Sequence, residues 1–188
     1  MQTFLPYSDF ERTARVLDTK RLGKQRVEVI QVIRALTVPG YGWASHPAAL
    51  MWRGHLEALG RYGFTMCEVW TEGGFGDSCA ATIGSDLAAA GVTKIRSYAQ
   101  LVAEGGLPDW LFDPELQRSH QSALVRKNPE HYRKYFPDVP ADLDYVWPLR
   151  SAAVVERERR KALRRTADQA RAVTPAPAAA DQQDQRES

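Results

Sequence analysis

A predicted helix near the start of the chain places one carboxylate among several cations. Residues 21–28 read RLGKQRVE and lead into the apolar run VIQVIRAL. At about 100° per residue, Arg21, Lys24 and Glu28 share one face of this helix. The apolar stripe on another face comprises Leu22, Val29, Ile33 and Leu36. Glu28 therefore fits either a solvated helix face with ion pairs or a catalytic carboxylate in a phosphate-binding groove.

The second group that could do chemistry is the α-amine of Met1. Residues 1–6 lead almost directly into the first predicted helix, and we expect no signal peptide and no flexible leader. Unperturbed α-amines titrate near about 7.7–8.0, so a sizeable fraction is a neutral nucleophile at physiological pH. An α-amine, a helical carboxylate and surrounding cations together indicate imine chemistry on a sugar in DNA.

The elements that must position these groups are predicted to be nearly all helical. Caps, turn residues and apolar spacing predict helices over about 10–19, 20–36, 45–72, 80–89, 97–103 and 113–128. No period-2 alternation is long enough to indicate a sheet. We therefore predict an all-α, compact single-domain helical bundle over residues 1–148. Residues 149–188 are predicted to form a basic helix and then a disordered Pro/Ala/Gln-rich tail.

Composition excludes several classes of protein. The 188 residues are 44% hydrophobic and 26% charged, which is ordinary for a globular protein. An apolar run long enough for a membrane span is missing, and two cysteines indicate a reducing compartment, so a cytoplasmic protein is expected. The histidines and cysteines lack metal-site spacing, and the GGFGD segment at 73–77 lacks the context of a phosphate loop. We expect neither a metal nor an organic cofactor.

The net charge of +2 conceals two basic patches. Residues 11–35 contain seven basic and three acidic side chains, and residues 117–134 contain five and one. If DNA is the partner, these two patches must meet on one face of the fold.

The order of several short motifs resembles the pyrimidine-dimer DNA glycosylases, a family typified by a phage enzyme also called endonuclease V. The opening MQTFL and the run LDTKRLGKQRVE at 17–28 resemble the start of that family. The resemblance continues through HPA at 46–48, MW at 51–52 and LE at 56–57. The last matching motif is NPEHYRKYF at 128–136, which is similar to the aromatic and basic segment that contacts DNA at the end of the family's sequence. The resemblance covers residues 1–148.

This resemblance implies a DNA repair glycosylase with associated AP lyase activity. It implies that the Met1 amine forms a Schiff base at C1′ of the damaged nucleotide, assisted by Glu28. The DNA-contacting residues it implies are Arg21, Lys24, Arg26, His46, Tyr132, Arg133, Lys134 and Tyr135. The expected partner is damaged double-stranded DNA, bound by a monomer away from any membrane.

Two departures from the family leave alternatives open. Gln2 and Val27 stand where the family commonly has arginine, which bears on how substrate is bound. A non-catalytic DNA-binding protein with the glycosylase fold is one alternative, and an enzyme acting on a small molecule is another. The lesion or modified base that is recognised also stays open.

Overall fold

The computed structural model describes residues 1–148, and this part of the chain is helical without any strand. The all-α prediction is therefore confirmed, whereas the predicted basic helix and tail at 149–188 lie outside the described residues. None of the described helices is both long and apolar enough to cross a membrane. The α-helices are α1 Phe10–Val16, α2 Thr19–Thr37, α3 Pro47–Leu50, α4 Leu56–Glu72, α5 Cys79–Ala89, α6 Tyr98–Ala103, α7 Pro114–Lys127 and α8 Pro129–Tyr132, with a 3₁₀ helix at Asp109–Phe112.

The core forms where the two longest helices, α2 and α4, pack against each other and against α5. The predicted stripe of α2 points inward: Leu22, Val29 and Ile33 are buried, and Leu36 is partly buried against the same cluster. From α4, Leu59 is fully buried and Leu56 packs at the edge. Burying this stripe places Glu28 and its neighbouring cations on an adjacent face of α2, at the edge of the bundle.

Glycine allows the close approach of α2 and α4, and this leads to a stability prediction. A Cβ placed on Gly63 would lie 2.7 Å from Cγ1 of Val29, a stiff β-branched core residue. We expect Gly63→Ala to lower the free energy of unfolding by about 1–3 kcal/mol through overpacking. Gly84→Ala is the matched control, because its Cβ would meet only Phe64, at 3.8 Å. Urea denaturation should show no loss for the control, and equal losses would contradict the packing argument.

The long helix predicted over 45–72 is wrong as a single element. It is divided into α3 and α4 by a turn in which Gly54 has a φ of +83°, a left-handed conformation that favours glycine. Trp52 lies in this turn and is fully buried, and its indole N–H donates to Oγ1 of Thr3 over 2.9 Å. The interruption therefore lets a large side chain reach inward and hold the N-terminal segment.

The first residues of the chain are built into the core. Residues 2–6 are buried and belong to neither a helix nor a strand. The N–H of Phe4 donates to Oε1 of Gln25 over 2.8 Å, and the N–H of Leu5 donates to Nδ1 of His120 over 2.9 Å. Helices α2 and α7 thus hold the segment from two sides, and the position of Met1 is fixed by the fold.

Candidate active site

A pocket of about 500 Å³ lies where the N-terminal segment meets the first turns of α2 and the end of α7. The amine nitrogen of Met1 lies in it, 3.7 Å from Oε1 of Glu28. The Met1 side chain is only 1% exposed, so the exposure of this residue comes from its main chain. The lining residues are Met1, Gln2, Phe4, Lys20, Arg21, Lys24, Gln25, Glu28, His46, Lys127, Tyr145 and Trp147.

Glu28 is a nearly buried carboxylate whose two oxygens have different partners. Oε2 accepts a hydrogen bond of 2.7 Å from Nε2 of Gln25. Oε1 faces the two cationic groups, Met1 N at 3.7 Å and Nζ of Lys24 at 3.6 Å. One oxygen is thus anchored by a neutral donor, and the other is directed at the amine. This arrangement leaves Oε1 available to exchange a proton with the amine or with a water beside it.

Gln25 organises this part of the site, and the sequence analysis did not identify it. Its Nε2 also donates to the carbonyl oxygen of Gln2 over 2.9 Å, while its Oε1 accepts from Phe4 N–H. The hydroxyl of Tyr62 lies 2.7 Å from the same Oε1 and 2.8 Å from the Phe4 carbonyl oxygen. One buried amide therefore connects the main chain beside Met1 with the catalytic candidate Glu28.

His120 supports the N-terminal segment from α7 and was also missed. Because its Nδ1 accepts from Leu5 N–H, the proton of the neutral ring is on Nε2, which lies 3.2 Å from the side-chain amide of Gln2. The ring is fully buried, and burial lowers the pKa of His120 to about 3. His120 is therefore a neutral structural group beneath the pocket.

This buried histidine predicts sensitivity to acid. Burial lowers the pKa of His120 below the value of 6.5 expected in the unfolded chain. Below pH 6.5, the unfolded chain therefore binds a proton at His120 that the folded protein does not bind. Stability should then fall by up to about 1.4 kcal/mol per pH unit as the pH decreases toward 3. His120→Asn keeps an acceptor near Leu5 but cannot titrate. Its denaturation midpoint should depend less on acid pH than that of the wild type, and parallel profiles would contradict this account.

The cations of the pocket come from both predicted basic patches. Lys20, Arg21 and Lys24 lie on α2, and Lys127 ends α7. The patches meet where Nη2 of Arg21 donates to the carbonyl oxygen of Lys127 over 3.0 Å. Arg21 is also paired with the Asp18 carboxylate, which caps α2. Burial, and then the charges of Arg21 and other nearby cations, lower the pKa of Lys127, as expected where positive groups crowd together.

An aromatic wall, which we define as His46, Tyr145 and Trp147, completes the lining. The rings of Tyr145 and Trp147 are 5.3 Å apart, and that of His46 is 6.2 Å from Trp147. His46 caps α3 by accepting the Ala48 N–H at Nδ1, and burial followed by the charge of the Met1 amine lowers the pKa of His46. The sequence analysis predicted His46 as a DNA-contacting residue, whereas it did not identify Tyr145 or Trp147.

Arg26 and Tyr132, both predicted to contact DNA, do not line this pocket. The guanidinium of Arg26 pairs with the Asp77 carboxylate and stacks on Trp70, 4.0 Å from the ring centre. Tyr132 is fully buried, and its hydroxyl accepts the N–H of Asp18 over 3.1 Å. Its contribution is to support the cap of α2, and its ring is out of reach of a bound base.

The other predicted contacts lie on a separate exposed surface. Arg133 donates to the carbonyl oxygens of Pro137 and Val139 over 3.1 and 2.8 Å. The Lys134 ammonium lies 4.8 Å from the ring centre of Tyr135, which lines a different cleft from that of Met1. These three residues remain predicted backbone contacts for DNA that extends beyond the pocket.

Comparison with known proteins agrees with the resemblance at the N-terminus. Residues 1–82 match the family model for pyrimidine dimer DNA glycosylases, and the predicted resemblance is confirmed over this range. The match contains Met1, Glu28 and the α2 cations. It does not extend to the aromatic segment at 128–136. Neither the curated proteins nor the solved structures include a match.

Proposed function

We infer that this chain, whose first 82 residues match the pyrimidine dimer DNA glycosylases, is a glycosylase with AP lyase activity that uses its N-terminal amine. The observation that carries the proposal is the 3.7 Å approach of the Met1 nitrogen to the Glu28 carboxylate. Lysines and an arginine surround this pair in one open pocket. A small-molecule enzyme would favour a closed apolar pocket instead.

In the proposed first step, the neutral Met1 nitrogen attacks C1′ of the damaged nucleotide. A new C–N bond forms as the glycosidic bond breaks, and the base departs with that electron pair and takes up a proton. The C1′–O4′ bond then breaks with its electron pair going to O4′, which takes up a proton from the protonated Glu28, and a protonated Schiff base remains. Oε1 of Glu28 stabilises the developing positive charge and accepts the proton that the amine loses.

In the proposed second step, the Schiff base makes the proton on C2′ acidic. Its removal by Glu28 or by a water that Glu28 orients leads to β-elimination, in which the C3′–O bond breaks and the 3′ phosphate leaves with its electrons. Water then hydrolyses the imine and frees the amine. The Oε2 bond from Gln25 keeps the carboxylate in place throughout.

The proposed role of the cations is to hold the phosphates on either side of the reacting sugar. Lys20→Ala and Lys127→Ala each remove one pocket cation, so each should reduce the slope of log affinity against log salt by about 0.9. Lys94→Ala is the matched control, because Lys94 is exposed and borders another cleft. Fluorescence anisotropy with duplex DNA at several salt concentrations measures the slopes. Unchanged slopes for both pocket variants would contradict this role.

A strand-scission assay tests the proposed function. Duplexes carrying a single abasic site or a single pyrimidine dimer are incubated with the protein in the presence of a chelator. We expect both to be cut, with an unsaturated aldehyde at the 3′ end as the mark of β-elimination. Salt-dependent binding without scission would instead support the alternative of a non-catalytic DNA-binding protein.

A further inference from the structure

The two ends of Met1 lie in different surroundings. Its side chain is only 1% exposed and packs at the edge of the hydrophobic core. Its amine nitrogen lies in the pocket, 3.7 Å from Oε1 of Glu28. We propose that the Met1 side chain is an anchor that positions the amine for its attack on the sugar. This inference rests on the proposed function and adds to it a positioning role for a side chain that forms and breaks no bond.

The main chain that follows Met1 is held by contacts of its own. The carbonyl oxygen of the buried Gln2 accepts from Nε2 of Gln25 over 2.9 Å. The side-chain amide of Gln2 lies 3.2 Å from Nε2 of His120, and the N–H of Phe4 donates to Oε1 of Gln25 over 2.8 Å. These contacts fix Gln2, and with it the planar peptide group that joins Gln2 to Met1.

One rotation then determines where the amine points. Because the Met1 nitrogen belongs to no peptide bond, turning about the Cα–C bond of Met1 exchanges the directions of the amine, the side chain and the hydrogen on Cα. Burial of the side chain in the core selects the orientation in which the amine faces Glu28. A glycine at this position has no side chain to bury, so its amine is free to turn away from the carboxylate.

The expected effect of losing this anchor is large. A turn of about 120° around the Cα–C bond moves the amine nitrogen by about 2.4 Å, given the standard N–Cα bond length. A misplacement of about 1 Å at a reacting group can already cost about a hundredfold in rate. Methionine is unbranched and fills irregular spaces in a core, and leucine has nearly the same volume. Leucine should therefore replace the anchor, whereas glycine should not.

Variants of residue 1 test the proposal, each released from a fusion protein by a protease so that residue 1 carries the free amine. Met1→Gly should cut an abasic duplex about a hundredfold more slowly than the wild type in single-turnover experiments. Met1→Leu should restore most of that rate. The affinity of both variants for a duplex with a tetrahydrofuran abasic analogue should equal that of the wild type, because the buried Met1 side chain is out of reach of a phosphate.

Leu56→Ala is the matched control, because Leu56 also packs at the edge of the core but does not line the pocket. This control should lose stability and keep the wild-type rate of scission. A Met1→Gly protein that cuts as fast as the wild type would overturn the anchoring role. A loss of rate in Leu56→Ala as large as that in Met1→Gly would also overturn it, since loss of stability would then explain both results.

Burial of the anchor can be measured without DNA, which separates this inference from the proposed function. The chain has three methionines, and Met51 and Met66 are fully buried. In ¹³C NMR with a soluble paramagnetic agent, the Met1 methyl signal, assigned by its loss in Met1→Leu, should be as protected as the other two. A protected methyl in a wild-type protein that cuts no abasic duplex would support the anchor and overturn the enzymatic proposal. An exposed methyl in a protein that cuts this duplex would overturn the anchor alone.

Discussion

Glu28→Gln is expected to lower strand scission by about a hundredfold to ten-thousandfold, the usual contribution of a positioned acid–base group. Glutamine has nearly the same shape, so it can still accept the 2.7 Å hydrogen bond from Gln25. It cannot accept a proton from the Met1 amine or balance the charge of an iminium ion. Single-turnover cleavage of an abasic duplex measures the effect on the chemical steps directly.

DNA affinity should survive this substitution or increase slightly. Glu28 is the carboxylate among the pocket-lining cations, and its removal takes away charge that repels phosphate. Glu130→Gln is the matched control, because Glu130 is exposed at the start of α8. If the Glu28→Gln protein cuts DNA at the wild-type rate, the Glu28 carboxylate takes no part in the mechanism. One that loses affinity and activity together would indicate a structural role.

Blocking the Met1 amine is expected to abolish scission altogether. Acetylation removes the nucleophilic lone pair, while the buried Met1 side chain and the hydrogen bonds of residues 2–5 can remain in place. Adding a single N-terminal glycine keeps a free amine but moves it by up to about 3.8 Å. That variant should retain little activity. Both proteins should melt near the wild-type temperature, and an acetylated protein that still cuts would exclude the amine as nucleophile.

The helices and the position of Glu28 among its cations could be predicted because both depend on local spacing. The approach of Met1 to Glu28 depends in addition on the contacts of Gln25 and His120 with residues 2–5. Burying the stripe of Leu22, Val29 and Ile33 leaves Glu28 at the rim of α2. The same geometry explains the different position of Arg26: five residues beyond Arg21, it lies about 140° around the helix axis, close to the apolar stripe. It therefore faces Asp77 and Trp70 and not the pocket.

The remaining parts of the site depend on contacts between distant segments. Gln25 lies at the border of the apolar stripe, but its partners include Phe4 and Tyr62, which are far away in the sequence. Tyr145 and Trp147 reach the pocket because the chain turns back along α7. The burial of Tyr132 did have a local signal, since its i,i+4 spacing with Phe136 is typical of a buried helix face and both are buried.

The departures at positions 2 and 27 do not alter the groups that face the amine. Gln2 is among the residues that line the pocket, but it is largely buried and its side-chain amide lies 3.2 Å from Nε2 of His120. Val27 is 45% exposed and does not line the pocket. If an arginine at position 2 or 27 binds the substrate in the family, other cations have to bind it in this chain. Lys20, Lys24 and Lys127 are placed to do so.

Trapping with borohydride tests the central claim most directly, because reduction converts the proposed Schiff base into a permanent secondary amine. Wild-type protein is incubated with an abasic duplex and borohydride, and the adduct is digested and mapped by mass spectrometry. The account predicts one covalent complex per reacting site, attached through the amine of Met1 and absent from the acetylated protein. An adduct mapped to a lysine such as Lys24, or binding of the duplex without any adduct, would contradict it.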